Sequence, residues 1–174
     1  MSIKLRLTVM SFLQFAVWGA YLTSMGNYLG SIGLASDIGI FYAMQGIVSI
    51  FMPAILGIVA DRWIPAQKLL GISHLIAAVF IFAAGYYGMT AGDNAQFSVL
   101  FALYSVSVAF YMPTIALSNS VAYTVLVNNN FDTIKTFPPI RTFGTIGFIC
   151  AMLFVDFTGF QNNHVQFYVS AVLG

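Results

Sequence analysis

The chain has 174 residues, of which 60% are hydrophobic and only 6% are charged, and its net charge is +1. A soluble domain carries about a quarter charged residues, so this composition excludes a surface that faces water on all sides. The small net charge argues against nucleic acid as a partner, because polyanions bind proteins with a basic excess. The single cysteine, Cys150, excludes a disulfide framework and a thiolate metal site. The composition predicts an all-α integral membrane protein.

Apolar runs along the chain predict its membrane spans. Crossing ~30 Å of hydrocarbon takes about 20 mainly apolar residues in a helix. The predicted spans are residues 7–29, 38–60, 69–89, 96–127 and 137–160, with a partial sixth at 165–174. The last run is too short to cross a bilayer, so we expect the sixth helix to be truncated in this chain. We expect one transmembrane bundle over residues 1–174, without a separate soluble domain.

Positive charge is confined to one side of the predicted spans. All six basic residues lie before the first span, between the second and third, or between the fourth and fifth or at the start of the fifth: Lys4, Arg6, Arg62, Lys68, Lys135 and Arg141. The opposite side holds Asp37, Asp93, Asp156 and His164 but no lysine or arginine. Under the positive-inside rule, the N-terminus and the basic loops are predicted to be cytoplasmic.

Two predicted spans carry polar side chains at helical spacing. In the first span, Gln14, Trp18 and Tyr21 are four and three residues apart and share one face. The fourth span has a similar stripe, made of Tyr104, Ser107, Tyr111, Thr114 and Ser118, with Asn119 on an adjoining stripe. Such side chains either line a water-filled cavity or hydrogen-bond to neighbouring helices, and the spacing leaves both open. The possible cavity-lining residues are Gln14, Trp18, Tyr111, Thr114 and Asn119.

A charged pair follows the second predicted span. Gly57 is followed four residues later by Asp61 and Arg62. This spacing resembles the signature loop of the major facilitator superfamily, although Trp63 begins a different continuation from the usual glycine and basic residues. The resemblance implies that Asp61 and Arg62 are gating residues, which lock two halves of a transporter together on the cytoplasmic side. The alternative is a charged loop that only obeys the positive-inside rule.

Further blocks sharpen this resemblance. They are SFLQF at residues 11–15, WG at 18–19, FMPA at 51–54, LGIVAD at 56–61, YMPT at 111–114, FPPIR at 137–141 and GTIGF at 144–148. In this order they resemble the bacterial nucleoside:proton symporters of the same superfamily. The resemblance covers essentially the whole chain, as the N-terminal six-helix half of a twelve-helix fold. It implies nucleoside uptake across the bacterial inner membrane by alternating access, with a proton as coupling ion and no other cofactor.

The fifth predicted span holds the expected substrate contacts. Arg141, Thr145 and Phe148 lie at i, i+4 and i+7, hence on one helical face. Arginine offers several donors to hydroxyl or carbonyl oxygens, threonine adds a neutral hydrogen bond, and a phenylalanine ring can stack on a base. This set suits a ribose joined to a heteroaromatic base, and the family's matching residues would be substrate contacts. The alternative is an interfacial arginine above an ordinary packed face. Gly144 and Gly147 favour close helix packing.

The depth of Arg141 depends on where the fifth helix begins. If Pro139 occupies the first turn, Arg141 lies near the membrane interface and can serve as an anchor. If Asn130 or Asp132 caps an earlier start, the prolines lie inside the helix and Arg141 lies deeper. The residues leave both open, and the family resemblance favours a substrate contact.

Proton coupling needs a titratable group in the cavity, and no acidic residue lies deep in a predicted span. We therefore expect the coupling carboxylate in a missing C-terminal half, and we expect this chain alone to be inactive. Its expected partners are that half, a nucleoside and membrane lipid. Two other functions stay open: a transporter of another solute, such as a sugar or drug, and a half-size protein that oligomerises as a pore or structural subunit. An enzyme is not expected, because no metal cluster, nucleophile–base pair or carboxylate pair is visible.

Overall fold

The chain folds as an all-helical bundle. The computed structural model describes residues 2–174, and Met1 lies outside that range. This part of the chain contains seven α-helices and no strand: α1 (Ile3–Gly19), α2 (Met25–Ser31), α3 (Ile38–Arg62), α4 (Ala66–Ala91), α5 (Phe97–Asn128), α6 (Thr133–Phe157) and α7 (Val165–Leu173). Short 3-10 turns precede α3, α5 and α7. The fold is therefore the all-α membrane architecture that the composition predicts.

Four of these helices, α3 to α6, are long and apolar enough to cross a membrane. The first predicted span, residues 7–29, instead contains two consecutive helices. Residues 20–24 form a turn between α1 and α2, and backbone hydrogen bonds bridge this turn from Leu22 to Trp18 and from Met25 to Tyr21. The sixth predicted span contains the nine residues of α7, which packs against α4 and α1.

Helices α1 and α6 pack backbone to backbone through glycines. A Cβ at Gly147 would overlap the backbone carbonyl of Phe12, and a Cβ at Gly19 would overlap the backbone of Phe148. At Gly144 a Cβ would meet side chains of α1 instead. The prediction that Gly144 and Gly147 allow close packing is confirmed, and this contact fixes how the face that carries Arg141 lies against α1.

The core and the surface differ in chemistry as expected for a protein in lipid. Tyr21, Phe41, Tyr104 and Phe167 are buried together in a cluster rich in aromatic rings. The exposed surfaces of α3 and α4 are apolar, with Ile50, Phe51, Ile55, Ile58, Leu75, Val79 and Phe82 all at least half exposed. Removing an apolar side chain of this size from water is worth about 1.5–3 kcal/mol of free energy. This surface is therefore suited to contact with lipid.

Candidate functional site

The start of α6 decides the position of Arg141. The Asp132 carboxylate accepts hydrogen bonds from the backbone N–H groups of Ile134, at 3.0 Å, and Lys135, at 3.3 Å. This capping starts α6 at Thr133, and the helix continues through Pro138 and Pro139. Of the two starts that the sequence leaves open, the earlier one is correct. Arg141 is the ninth residue of α6, about 12 Å along its axis at ~1.5 Å per residue.

The Arg141 guanidinium is held by an aromatic ring. Its Cζ lies 3.9 Å from the centroid of the Phe15 ring on α1, a cation–π distance. Gly144 allows this approach, because a side chain there would meet Phe15, Ser11 and Arg141. This contact holds the guanidinium against the ring, and the guanidinium N–H groups are the donors that a ligand can use.

The charge of Arg141 has no acidic partner among residues 2–174. The only salt bridge in this part of the chain joins Lys135 to Asp132 at 3.7 Å, with both side chains largely exposed. A partly buried cation held by a ring and without a carboxylate can bind an acceptor from a ligand at little cost, because no internal ion pair has to be broken first.

Thr145 and Phe148 continue the same face of α6. Thr145 is exposed and Phe148 is half-buried. The Phe148 ring lies edge-to-face with Trp18, with ring centroids 5.9 Å apart and planes at 80°. Trp18 follows Phe15 by three residues, so one face of α1 supports both the arginine and the phenylalanine. The structure thus brings the three predicted substrate contacts to one surface beside α1.

The polar stripes of α1 and α5 meet in a buried network around Gln14. The Gln14 Nε2 donates to Thr114 Oγ1 at 2.8 Å, and its Oε1 lies 2.9 Å from His74 Nε2. The Tyr111 hydroxyl donates to the backbone carbonyl of Gln14. Gln14, Thr114 and Tyr111 are each at most 2% exposed. These three residues therefore hydrogen-bond between helices, and their predicted cavity-lining role stays a prediction.

The other two candidate cavity residues differ from this network. Trp18 is half-buried and its ring lies edge-to-face with the ring of Phe148. Asn119 is half-buried as well. Both remain predicted cavity residues.

The charged pair at the end of α3 is exposed. Asp61 lies in the last turn and Arg62 is the last residue of α3. Neither takes part in a salt bridge within residues 2–174. Their gating role stays a prediction. The same range contains no group of three histidine, cysteine or acidic side chains that could hold a metal ion.

Sequence reasoning missed two contributors to this site. The only sequence feature that pointed to Phe15 was its three-residue spacing from Trp18. Its contact with Arg141 on α6 could not be predicted from the sequence. The sequence feature that pointed to Gln45 is a polar amide within the apolar α3. In the structure, the Gln45 side chain accepts a hydrogen bond from Trp18 at 2.8 Å. An amide in an apolar span must find a partner, and here that partner belongs to the site.

Comparisons with known proteins agree with this arrangement. The family model described as nucleoside H+ symporter matches residues 1–174. The nucleoside permease NupG of Escherichia coli strain K12 is 42% identical over 176 residues, which cover 99% of this chain and 40% of that protein. The xanthosine permease of the same organism is 39% identical, over 98% of this chain and 40% of its own length.

A solved structure gives the same result in three dimensions. The crystal structure of nucleoside transporter NupG has a TM-score of 0.89 and 40% identity, covering 99% of this chain and 42% of that one. The chain spans about two-fifths of the length of these relatives and corresponds to their N-terminal part. Matched along its length by the family model, the chain belongs to the nucleoside H+ symporter family, whose members are proton-driven membrane transporters and not enzymes.

Proposed function

We propose that this chain acts as the N-terminal half of a twelve-helix nucleoside:proton symporter of the bacterial inner membrane. The twelve-helix protein, called the complete transporter below, moves nucleosides by alternating access. Membership of the symporter family and the likeness to permeases of about 40% identity support this function. This half contributes one wall of the substrate site, and the chain alone is inactive because the other wall lies in the C-terminal half.

The observation that carries the substrate assignment is the surface formed by Arg141, Thr145 and Phe148. A cation without an acidic partner, an exposed hydroxyl and a half-buried ring lie on one face of α6. Arg141 donates to ribose hydroxyl or base carbonyl oxygens. Thr145 adds a neutral hydrogen bond, and Phe148 stacks on the base. An anchoring arginine would need none of these neighbours.

The coupling carboxylate belongs to the C-terminal half in this proposal. In this chain, Asp61 lies at the end of α3, Asp132 caps α6 and Asp156 is exposed in the last turn of α6. Asp37 and Asp93 lie in the 3-10 turns between helices. No acidic side chain among residues 2–174 therefore lies mid-helix beside Arg141. This half supplies the binding groups, and the other half supplies the proton-binding group.

The orientation of the chain in the membrane follows from the distribution of its basic residues. Five of the six basic residues lie at the start of α1, around the α3–α4 connection and in the first turn of α6, and Arg141 lies deeper in the N-terminal part of α6. These positions share one side of the bundle when the long helices alternate in direction, so the N-terminus is cytoplasmic. Asp61 and Arg62 then lie on the cytoplasmic side, where they act as gating residues against the C-terminal half.

Uridine uptake by the complete transporter in proteoliposomes tests the proposed function. A pH gradient, acidic outside, should drive accumulation, and adenosine but not a sugar should compete. Competition by sugars instead of nucleosides would contradict the substrate class. Residues 1–174 alone should show no uptake, and uptake by this chain alone would favour a half-size transporter that oligomerises.

A further inference from the structure

Gln45 is a buried amide in one of the most apolar helices of the bundle. Helix α3 has a stretch with mean hydropathy of 2.0, and most of that stretch is exposed to the surroundings of the protein. Gln45 is 7% exposed. Burying an amide without partners costs ~1–3 kcal/mol in mutational data, so its retention there requires hydrogen bonds. These bonds lead to the substrate surface.

Both ends of the Gln45 amide are used. Trp18 Nε1 donates to Gln45 Oε1 at 2.8 Å, and Gln45 Nε2 donates to the Tyr104 hydroxyl at 2.7 Å. An indole N–H can only donate, so the amide oxygen must face Trp18 and the amide nitrogen must face Tyr104. Tyr104 is fully buried on α5. The amide therefore fixes Trp18 relative to two other helices.

Trp18 in turn supports the Phe148 ring. The two rings meet edge-to-face at 5.9 Å, a favoured geometry for aromatic pairs. A tryptophan without its N–H partner could rotate about its side-chain bonds, and Phe148 would lose the ring that limits its own orientation. The contacts form a continuous series from Tyr104 through Gln45 and Trp18 to Phe148.

We propose that Gln45 is a positioning residue for nucleoside binding. It acts through Trp18 to hold the Phe148 ring in the orientation that stacks on the base. This inference rests on the proposed function, and specifically on Phe148 as a contact to the base. Gln45 on α3 would thus affect the binding site without contacting the ligand itself.

The test begins with Gln45→Met in the complete transporter. Methionine keeps the length of the side chain and removes both hydrogen bonds. We expect the KM for uridine to rise about three- to ten-fold, a fraction of the effect of losing the stacking ring altogether. The maximal uptake rate per transporter in the membrane should stay unchanged. Trp18→Phe, which keeps a ring but lacks the N–H, should have a similar effect.

Double variants separate positioning from a general structural role. If Gln45 acts through Phe148, adding Gln45→Met to Phe148→Ala leaves the KM where Phe148→Ala alone puts it. A control is Gln166→Met, which removes an equally buried, hydrogen-bonded glutamine in α7. This control should lower the unfolding temperature without changing the KM. Should Gln45→Met fail to fold, Tyr104→Phe removes one hydroxyl and should shift the KM in the same direction.

The outcomes distinguish this inference from the proposed function. If Phe148→Ala leaves the KM for uridine unchanged, Phe148 is not a substrate contact, and both that assignment and the positioning role of Gln45 are wrong. If Phe148→Ala raises the KM but Gln45→Met does not, the positioning role alone is overturned. The positioning role is also overturned if Gln45→Met keeps its full effect when Phe148 is already alanine.

Discussion

The close contact between α1 and α6 predicts that Gly147→Ala destabilises the protein and weakens substrate binding together. A Cβ at this position would overlap the backbone carbonyl of Phe12. Because the obstacle is backbone, no change of rotamer can relieve it, and the two helices must move apart. Phe15 and Trp18 lie on α1 just beyond Phe12, so the rings that support Arg141 and Phe148 move as well.

Two opposing terms set the size of this effect. Overpacking typically costs ~1–3 kcal/mol, whereas replacing glycine by alanine inside a helix gains up to about 1 kcal/mol. The overlap with backbone places the cost toward the upper part of its range, so we expect a net loss of ~1–2 kcal/mol. Gly71→Ala in α4 is the matched control, because nothing lies within 4 Å of a Cβ there. It should be neutral or slightly stabilising.

The assay is thermal unfolding of the complete transporter in detergent, with uridine affinity measured on the same preparations. Gly147→Ala should lower both the unfolding temperature and the affinity, whereas Gly71→Ala should lower neither. Equal stability and equal affinity of the two variants would refute the packing argument. A loss of stability with unchanged affinity would show that α1 does not support the site.

Three further predictions concern the site and its surroundings. Phe15→Leu removes the ring beneath the Arg141 guanidinium, a contact worth ~0.5–2 kcal/mol, so uridine affinity should fall about 2- to 30-fold. The control Phe143→Leu, on the opposite side of α6, should leave uridine affinity unchanged. Equal affinity of the two variants would contradict the contact between Phe15 and Arg141. Gln14→Leu leaves buried partners without hydrogen bonds and should cost ~1–3 kcal/mol of stability, measured by thermal unfolding; wild-type stability would contradict the network. Burial lowers the pKa of His164 below its ordinary 6.5, so the unfolded chain takes up the proton first and stability should fall as pH drops below about 6.5. His164→Gln should reduce this fall in the unfolding temperature, and an unchanged profile would contradict it.

The long apolar helices could be predicted from the sequence because the length of an apolar run decides them, whereas the break in the first predicted span could not. Residues 20–24 are as apolar as their neighbours apart from Thr23 and Ser24. Hydropathy reports which residues enter lipid, and it carries no information on the backbone path between Gly19 and Met25. In the structure that path is a turn closed by backbone hydrogen bonds from Leu22 to Trp18 and from Met25 to Tyr21.

The candidate site was predictable in part. Helical spacing places Arg141, Thr145 and Phe148 on one face whatever the rest of the fold does. The depth of Arg141 was not predictable, because two helix starts were equally allowed by capping rules. The hydrogen bonds of Asp132 to Ile134 and Lys135 choose between them.

The polar stripes show a different limit. Spacing correctly puts Gln14 on one face of α1 and Tyr111 with Thr114 on one face of α5. Cavity lining and helix contact both require polar groups inside the bundle, so the pattern is the same for both. The structure adds the partners: Gln14 is hydrogen-bonded to α4 and α5 through its side-chain amide and its backbone carbonyl.

The central claim is that the face of α6 beside α1 binds the nucleoside. Equilibrium binding of uridine to the complete transporter tests it most directly, comparing Arg141→Ala and Phe148→Ala with Phe143→Ala. Residue 143 is rotated by about 200° from residue 141 around the helix axis, and its ring is exposed. The first two variants should weaken binding at least about tenfold, the lower part of the range expected for a stacked base, and the third should bind normally. Unchanged uridine affinity in both Arg141→Ala and Phe148→Ala would contradict the assignment.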